Sequence, residues 1–181
     1  NNFLIYLTQS EYMEYKGRAL QCNTVGNNIA ELKFDSQDGS VNKFDKNSLQ
    51  ELNEVVKLLE KDQSVKGLLI SSGKDTFIVG ADINQFLGIF QEPLDKLVQW
   101  GKDSQQVFSN LENLNIPSVC AINGFALGGG FEICLACTYR VASKQAKVGL
   151  PEVKLGLLPG FGGTARLPRL IGADNAIEWI A

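Results

Sequence analysis

The sequence predicts a single α/β domain in which most of the strands pair in parallel. Three observations support this prediction. Strand-like and helix-like runs alternate along the whole chain of 181 residues, which is typical of strands joined by helical crossovers. Two short apolar runs, residues 67–72 and 117–122, have the character of strands buried on both faces of a sheet. The composition, 44% hydrophobic and 20% charged, suits one domain of this length with a proper core.

The first half of the chain is predicted to contribute three strands and two helices. Strand-type runs occupy residues 19–24 and 29–34 and are separated by a glycine–asparagine turn. The next segment is predicted to be a helix because apolar side chains recur at near-helical spacing with charges between them, at Leu49, Leu52, Val55, Val56, Leu58 and Leu59. The strand at residues 67–72 follows, residues 77–82 lead into a loop, and the apolar stretch 83–90 is weakly helical.

The second half repeats the alternation. A long helical pattern covers residues 94–114 and precedes the strand at residues 117–122. Three glycines then open a helix that runs through Ala136, and a further strand lies at residues 139–142. The remainder is rich in glycine and proline until a last helical pattern at residues 173–181, after which no glycine, basic turn or proline follows. We therefore expect the chain to end inside a larger fold.

Charge and hydropathy exclude several classes of partner. The formal net charge is −3 and the isoelectric point is about 5.1, so there is no basic surplus to attract nucleic acid or an anionic membrane. No apolar run approaches the roughly 20 residues of a spanning helix. An apolar patch at residues 3–7 has no basic residue ahead of it, unlike a secretory signal. We expect a cytoplasmic protein with no membrane span.

The chain contains no histidine and four cysteines. The lack of histidine excludes Ser-His and Cys-His nucleophile pairs and His-ligated metals, so acid–base chemistry must fall to carboxylates, Lys, Tyr or Cys. The cysteines are Cys22, Cys120, Cys134 and Cys137. The last two form a Cys-x-x-Cys pair, which is compatible with a redox pair or half of a zinc site, but no second pair supplies the other two ligands. We expect buried, reduced thiols and no metal site.

Three consecutive glycines, residues 128–130, form the first candidate functional segment. They follow a buried-type strand and lead into the helix that contains Glu132. Glycines allow the backbone to turn sharply and approach a ligand, and the free N–H groups of a helix start favour an anion or a developing oxyanion. The alternative is tight helix–strand packing, with Glu132 only complementing the helix dipole.

The second candidate is Glu152, which lies in a Leu-Pro-Glu turn. A turn carboxylate is ordinarily just solvated. Two glutamates on rigid supports beside a glycine-lined site would nevertheless supply the acid and base that an enzyme without histidine needs. Residues 160–165 also match G-x-G-x-x-A, but they follow Pro159 rather than a clean strand, so this segment is a weak dinucleotide fingerprint, and no P-loop is present.

The candidate segments together resemble one known family. FIVGADI (residues 77–83), NGFALGGGFE (123–132) and GLPEVKLGLLPGFGGTARLPRLIG (149–172) follow one another in the order typical of the enoyl-CoA hydratase/isomerase (crotonase) superfamily. Within it, the chain is most similar to the N-terminal region of the α-subunits of bacterial fatty-acid oxidation complexes, a subgroup that GSVNKFD (39–45) also resembles. The similarity covers a predicted domain at residues 13–181, and residues 1–12 are interpreted as an extension of unclear origin.

The resemblance implies both a fold and a function. The implied fold is a crotonase-type (ClpP/crotonase-like) spiral of ββα units whose C-terminal helical part, which completes the acyl pocket, is missing. The implied activity is enoyl-CoA hydration with Δ3-Δ2-enoyl-CoA isomerisation in fatty-acid β-oxidation, without a cofactor in this chain. NAD is expected only in a dehydrogenase region of the complete multifunctional protein. That protein is expected to form an oligomer and to pair with a thiolase subunit.

The resemblance also assigns roles to particular positions. Glu132 and Glu152 become the catalytic pair, with the division into acid and base left open. The backbone N–H groups of Ala81 and Gly129 become the oxyanion hole for the thioester carbonyl of the acyl-CoA substrate. The residues implied to lie along that substrate are Asp82, Phe86, Leu87, Phe90, Gly128 and Gly160. Asn84 replaces a basic residue that approaches the CoA phosphates in many relatives, so another Lys or Arg is expected to serve.

Two alternatives remain open at the level of sequence. A different acyl-CoA reaction on the same scaffold, such as thioester hydrolysis or decarboxylation, would be expected to accompany the loss of one glutamate, whereas both are present. A non-catalytic acyl-CoA-binding or assembly module would bind CoA esters without turnover.

Overall fold

The computed structural model describes residues 13–181, apart from the side chain of Phe86. The extension assigned to residues 1–12 lies outside the described residues. The strands are β1 (Glu14–Lys16), β2 (Leu20–Thr24), β3 (Ile29–Phe34), β4 (Gly67–Ser72), β5 (Ser118–Ile122), β6 (Phe125–Leu127), β7 (Tyr139–Ala142) and β8 (Lys147–Gly149). The helices are α1 (Lys46–Lys61), α2 (Ile83–Ile89), α3 (Leu94–Glu112), α4 (Gly129–Ala136), α5 (Gly163–Ile171) and α6 (Ala173–Ile180), and a 3-10 turn spans Glu152–Leu155.

The strands form two sheets. The larger has the order β1-β2-β3-β4-β5-β7, and the smaller pairs β6 with β8. β2 runs antiparallel to both of its neighbours, β1 and β3, whereas the pairings from β3 through β4 and β5 to β7, and that of β6 with β8, are parallel. Four of the six pairings between described strands are thus parallel, which confirms the predicted predominance of parallel pairing.

The chain advances by repeating a strand–strand–helix unit. In the unit β5-β6-α4, the first strand joins the larger sheet and the second joins the smaller one, and β7-β8-α5 does the same. The segment after β4 follows a similar course, because Ile78 bridges Ala126 of β6. These successive turns confirm the predicted spiral of ββα units. The arrangement brings the chain segments that follow β4, β6 and β8 next to one another.

Helix α1 shows how local sequence and tertiary contacts combine. Asp45 caps its start by accepting a hydrogen bond from the Ser48 N–H, while the Asp45 N–H donates to the Ser48 hydroxyl, a capping box that stabilises a helix by about 1 kcal/mol. Its buried face is apolar except for Ser48 and Glu51, each of which is 1% exposed. Glu51 accepts hydrogen bonds from the backbone N–H groups of residues 18–20, and this carboxylate therefore fastens the turn before β2 to the helix.

Four phenylalanines connect the larger sheet to the helical layer. Phe44 contacts Phe34 of β3, Phe108 of α3 and Phe161, with ring centroids 5.7, 5.3 and 6.0 Å apart. Phe108 and Phe161 stack at 4.9 Å, and all four side chains are at most 4% exposed. Offset and edge-to-face aromatic pairs stabilise a core beyond their buried area. The loop that contains Phe161 is thus anchored in the core.

The structure differs from the sequence prediction in several elements. Helix α5 lies in a stretch predicted to be only glycine- and proline-rich, and β1 and β6 are short strands that were not predicted as such. Strand β4 is less enclosed than predicted, because Leu68 and Ile70 are buried but Leu69 is only partly so. That alternation indicates one well-covered face and one partly covered face.

The cysteines are unpaired and buried, as predicted for thiols of the core. The Sγ atoms of Cys120 and Cys137 lie 3.2 Å apart, and burial raises the pKa of the Cys120 thiol well above its ordinary value. No group of three potential ligands capable of holding a metal ion occurs within residues 13–181. Within the same range, no helix has the length and apolar character required to cross a membrane.

Candidate active site

Backbone conformation and close packing require glycine at the start of α4. Gly128 has φ +53°, in the region that favours glycine. At Gly130, a Cβ atom would lie 1.9 Å from the carbonyl oxygen of Ile78, so any side chain would collide with a neighbouring backbone. The packing alternative for these glycines is therefore correct in part, and the same close approach brings the start of α4 against residues 78–80.

Two predicted oxyanion donors, the N–H groups of Ala81 and Gly129, lie on these adjacent segments. The Phe44 N–H donates to the Gly80 carbonyl (2.8 Å), and the Asp82 N–H donates to the Phe44 carbonyl (2.7 Å). In this parallel bridge the intervening Ala81 N–H points away from Phe44. Gly129 is the first residue of α4, where N–H groups lack intrahelical acceptors. Among the described residues, neither N–H donates a hydrogen bond.

The backbone positions show how near these two donors lie to each other. A Cβ atom on Gly128 would be 3.7 Å from the Cα of Gly80, and each glycine immediately precedes one of the two donors. The Leu127 N–H also donates to the Ile78 carbonyl at 3.0 Å. Two unengaged N–H groups on adjacent backbones are compatible with the predicted oxyanion hole, which stays a prediction.

Glu132 lies in the first turn of α4 and is 1% exposed. Its Oε1 atom accepts hydrogen bonds from the backbone N–H groups of Phe161 (2.8 Å) and Gly163 (2.7 Å). Burial raises the pKa of Glu132 to about 7, the two N–H donors oppose that rise, and the charge of Glu152 adds to it. Burial outweighs the hydrogen bonds, so the carboxyl group exchanges a proton near neutral pH.

Glu152 approaches the same place from the other side of the glycines. It begins the 3-10 turn after Pro151, and its Oε1 atom would lie 2.9 Å from a Cβ atom on Gly128. Its Oε2 atom is buried and has no hydrogen-bond partner among residues 13–181. Partial burial raises the pKa of Glu152 above its ordinary value. The solvated-turn alternative is thus wrong for this carboxylate, because Oε2 is buried and Oε1 lies against the glycine segment.

The loop at residues 160–163 is the support of Glu132 rather than a nucleotide-binding turn. Its N–H groups bind the Glu132 carboxylate, and Gly162 has φ +105°. The Gly160 carbonyl accepts a hydrogen bond from Gln105 Nε2 of α3 at 2.9 Å. Gly160 itself is exposed, and its predicted position near the thioester stays a prediction.

Arg166 is a buried residue at this site that the sequence analysis did not single out. It lies on α5, is 7% exposed, and donates from Nη1 to the Phe161 carbonyl at 2.8 Å. Its Nε and Nη2 atoms contact Oε2 of Glu112 on α3, each at 2.8 Å. A basic residue three positions after Gly163 was the available signal.

The remaining predicted substrate residues surround α2. Asp82 forms an ion pair with Lys43, with 2.6 Å between Oδ2 and Nζ, and this contact lowers the pKa of Asp82. Leu87 and Phe90 are 58% and 43% exposed. Neither lines the open groove of about 400 Å³ between residues 148–154 and 178–181. The side chain of Phe86 lies outside the described part of the structure, so the acyl-pocket assignment stays a prediction.

Comparison with known proteins places these motifs in a family. The sequence profile described as enoyl-CoA hydratase/isomerase matches residues 24–181. The chain is 56% identical over 169 residues to the fatty acid oxidation complex subunit alpha of Pseudomonas entomophila (strain L48), and equally to that of Pseudomonas putida (strain GB-1). Each alignment covers 93% of this chain and 24% of the relative, so the chain spans about a quarter of the length of these curated relatives.

Solved structures show the same fold. An enoyl-CoA hydratase structure from Bacillus anthracis superposes with a TM-score of 0.80 at 29% sequence identity, covering 90% of this chain and 62% of the other. An enoyl-CoA hydratase structure from Geobacillus kaustophilus HTA426 superposes with a TM-score of 0.84 at 29% identity, covering 93% and 62%.

Proposed function

The chain belongs to the enoyl-CoA hydratase/isomerase family of the crotonase superfamily, and we propose that it hydrates 2-enoyl-CoA thioesters and shifts Δ3 double bonds to Δ2. In this proposal Glu132 and Glu152 are the acid–base pair, and the N–H groups of Ala81 and Gly129 bind the thioester oxygen. The complete protein would act in fatty-acid oxidation.

One observation carries the proposal. Two carboxylates with raised pKa values meet beside a glycine segment whose neighbouring N–H groups are unengaged. Glu132 is held rigidly by two backbone donors, and Glu152 retains a buried oxygen without a partner among the described residues. Paired acids with perturbed pKa values beside preorganised donors are the features expected of proton transfer next to a carbonyl group.

Charge stabilisation would come from the backbone. When the oxygen of water bonds to Cβ, the electrons of the double bond move toward the thioester, and negative charge develops on its oxygen. The N–H groups of Ala81 and Gly129 would face that oxygen. Removing one such donor from an enzyme costs about 2.7–4 kcal/mol of transition-state stabilisation, so two donors account for a large part of the rate enhancement.

Proton transfer would come from the glutamates. One carboxylate accepts a proton from the attacking water, and a protonated carboxyl group delivers a proton to Cα, so that one water molecule is added overall. A group with a pKa near the working pH can both accept and donate, and the pKa of Glu132 is about 7. Isomerisation needs the same groups, because removal of a Cα proton from a Δ3 substrate gives a dienolate-type species that is reprotonated at Cγ.

The test is hydration of a medium-chain 2-enoyl-CoA, followed as loss of the conjugated thioester absorbance. We expect Glu132→Gln and Glu152→Gln to lower kcat by a factor on the order of 10² to 10⁴. CoA-ester binding, measured by calorimetry, should be retained in both. Glu60→Gln is the matched control, since Glu60 is an exposed glutamate of α1, and it should leave kcat unchanged.

Each other outcome has a definite meaning. Undiminished turnover in either variant would remove that glutamate from catalysis. Binding without turnover in the wild-type protein would favour the acyl-CoA-binding module, and release of free CoA would favour thioester hydrolysis.

We also propose a larger context from the relatives. Their name, fatty acid oxidation complex subunit alpha, describes a subunit of a complex, and they are about four times as long as this chain. We infer that the complete protein adds an NAD-dependent dehydrogenase region and pairs with a thiolase. Co-purification of a thiolase with the complete protein would test the pairing.

A further inference from the structure

We propose that Arg166 is a positioning residue for Glu132. Arg166 holds the loop that binds the Glu132 carboxylate, and it places a positive charge behind that carboxylate. This inference rests on the proposed function for its kinetic consequences. Its geometric basis is independent of the reaction.

The loop at residues 161–163 contacts Glu132 and Arg166 through its backbone. The Phe161 N–H and the Gly163 N–H donate to Glu132, and the carbonyl between them that Arg166 binds is that of Phe161. Along these three residues, an N–H that binds Glu132 is followed by a carbonyl that binds Arg166 and then by a second N–H that binds Glu132. Rotation of the Phe161–Gly162 peptide would break the Arg166 contact and displace the Gly163 N–H from the carboxylate at the same time.

The guanidinium of Arg166 packs closely against Gly162. A Cβ atom on Gly162 would lie 2.1 Å from Nη1 of Arg166, so the guanidinium occupies the space that a side chain would need. Gly162 also has φ +105°, a backbone conformation that glycine adopts readily and other residues rarely adopt. Arg166 thus covers the most adaptable residue of the loop and limits its alternative conformations.

Arg166 also acts on Glu132 through its charge. The charged groups that face Glu132 are Glu152 on the 3-10 turn and Arg166 on α5, and Arg166 is paired with Glu112 on α3. The side chain of Arg166 is 8% exposed and that of Glu112 is 40% exposed, so solvent screens the charge of Glu112 more effectively. Arg166 accordingly lowers the pKa of Glu132 against the effects of burial and of Glu152.

A purely structural role, fastening α3 to α5, is the competing explanation, and the pH dependence of turnover separates the two. We expect Arg166→Met to lower kcat on the order of 10- to 100-fold, as for displacements of a catalytic group by about 1 Å, with KM within about twofold. The apparent pKa of Glu132 in the pH profile of kcat should rise by roughly half a pH unit to one pH unit, whether Glu132 acts as base or as acid. This apparent pKa defines the Glu132 limb of the profile.

Two further variants separate charge from geometry. Arg166→Lys keeps the charge but has a single donor nitrogen. Compared with Arg166→Met, it should return the Glu132 limb of the pH profile to the wild-type position but recover only part of the wild-type kcat. Glu112→Gln removes the negative charge and leaves the bond to Phe161, so the limb should move downward with kcat little changed. Arg169→Met, on the same helix but exposed, is the matched control and should behave as wild type.

A second readout does not depend on turnover. The protonation of Glu132 can be followed by carbon NMR of glutamate labelled at Cδ, assigned with Glu132→Gln, and its midpoint should rise in Arg166→Met and fall in Glu112→Gln. If these shifts occur in a protein that does not hydrate enoyl-CoA, the proposed function fails and the positioning role stands.

The opposite results would overturn the proposal. A folded Arg166→Met protein with the wild-type kcat and pH profile would make Arg166 structural only. If Arg166→Met does not fold, an unmoved limb in Glu112→Gln together with a wild-type kcat in Arg166→Lys would overturn it equally.

Discussion

Replacement of Gly130 by alanine should damage the protein's stability and its site together. The new Cβ atom would lie 1.9 Å from the Ile78 carbonyl oxygen, 2.7 Å from the Ile78 carbonyl carbon and 2.9 Å from its Cβ. Real Cβ atoms do not approach closer than 3.0 Å, so α4 and residue 78 must separate by about 1 Å. Both groups are parts of the backbone, and no side-chain rotation can relieve the contact.

The magnitude follows from that displacement. Forcing one extra carbon into a close-packed interior costs about 1–3 kcal/mol, which corresponds to a Tm lower by roughly 2–12 °C for a domain of this size. The same separation moves the Gly129 N–H away from Ala81, and a misplacement of about 1 Å costs a factor on the order of 10² in kcat. Thermal melting by circular dichroism and the hydration assay measure the two effects.

Gly101→Ala is the matched control for this substitution. Gly101 lies inside α3, and a Cβ atom there would meet no atom within 4 Å. Alanine is favoured over glycine in a helix by about 1 kcal/mol, so this variant should melt a few degrees higher with unchanged kcat. Wild-type melting and turnover in Gly130→Ala would refute the reasoning that close backbone contact positions the start of α4.

Two further predictions concern buried carboxylates. Glu51→Gln should lower the free energy of unfolding by about 1.5–3 kcal/mol, measured by urea titration, because an amide nitrogen would oppose the N–H groups of residues 18–20 that now donate to Glu51; an unchanged midpoint would contradict it. The folded-state pKa of Glu132, about 7, lies above its ordinary value of 4.5. Protonation therefore favours the folded state, and the stability that this group contributes is present below about pH 4.5 and is lost as the pH rises through 7. On raising the pH from 5 to 8, wild type should lose about 2.5 kcal/mol relative to Glu132→Gln, and parallel curves for the two proteins would show that Glu132 titrates normally.

The elements that were predicted correctly are those whose local residue preferences match the environment that the folded structure gives them. The bounds of β3, β4 and β7 match the predicted strands. β3 carries β-favouring residues at both ends, β4 begins with a short apolar run, and β7 contains a tyrosine and a valine, residue types enriched in strands. Helix α5 was not predicted because Gly162, Gly163 and Pro168 are all helix breakers by composition. In the structure Gly162 precedes the first turn, Gly163 starts it, and Pro168 removes only one backbone donor near the end of a short helix. The buried side chains of Arg166 and Leu167 stabilise what local preference does not.

The site was predictable to the extent that it is written in short motifs. Glu132 follows the glycines by two positions, so its place in the first turn of α4 follows from local sequence. Its pKa does not, because the burial and the two N–H donors come from residues 29 and 31 positions later. Arg166 likewise derives its role from Glu112, 54 residues away. The roles of Leu87 and Phe90 stay predictions, since Leu87 is exposed on α2 and Phe90 is exposed just after it.

The two glutamates stand on supports of very different rigidity. Glu132 belongs to α4, whose eight residues are all buried, whereas Glu152 begins a four-residue 3-10 turn with no buried residue, which ends at the left-handed Gly156. Segments with few buried contacts open locally at low cost. Amide hydrogens of α4 should therefore exchange with solvent orders of magnitude more slowly than those of the turn. A substrate that requires a different spacing between the carboxylates would be accommodated by displacement of Glu152, while Glu132 and its two donors provide the fixed reference point.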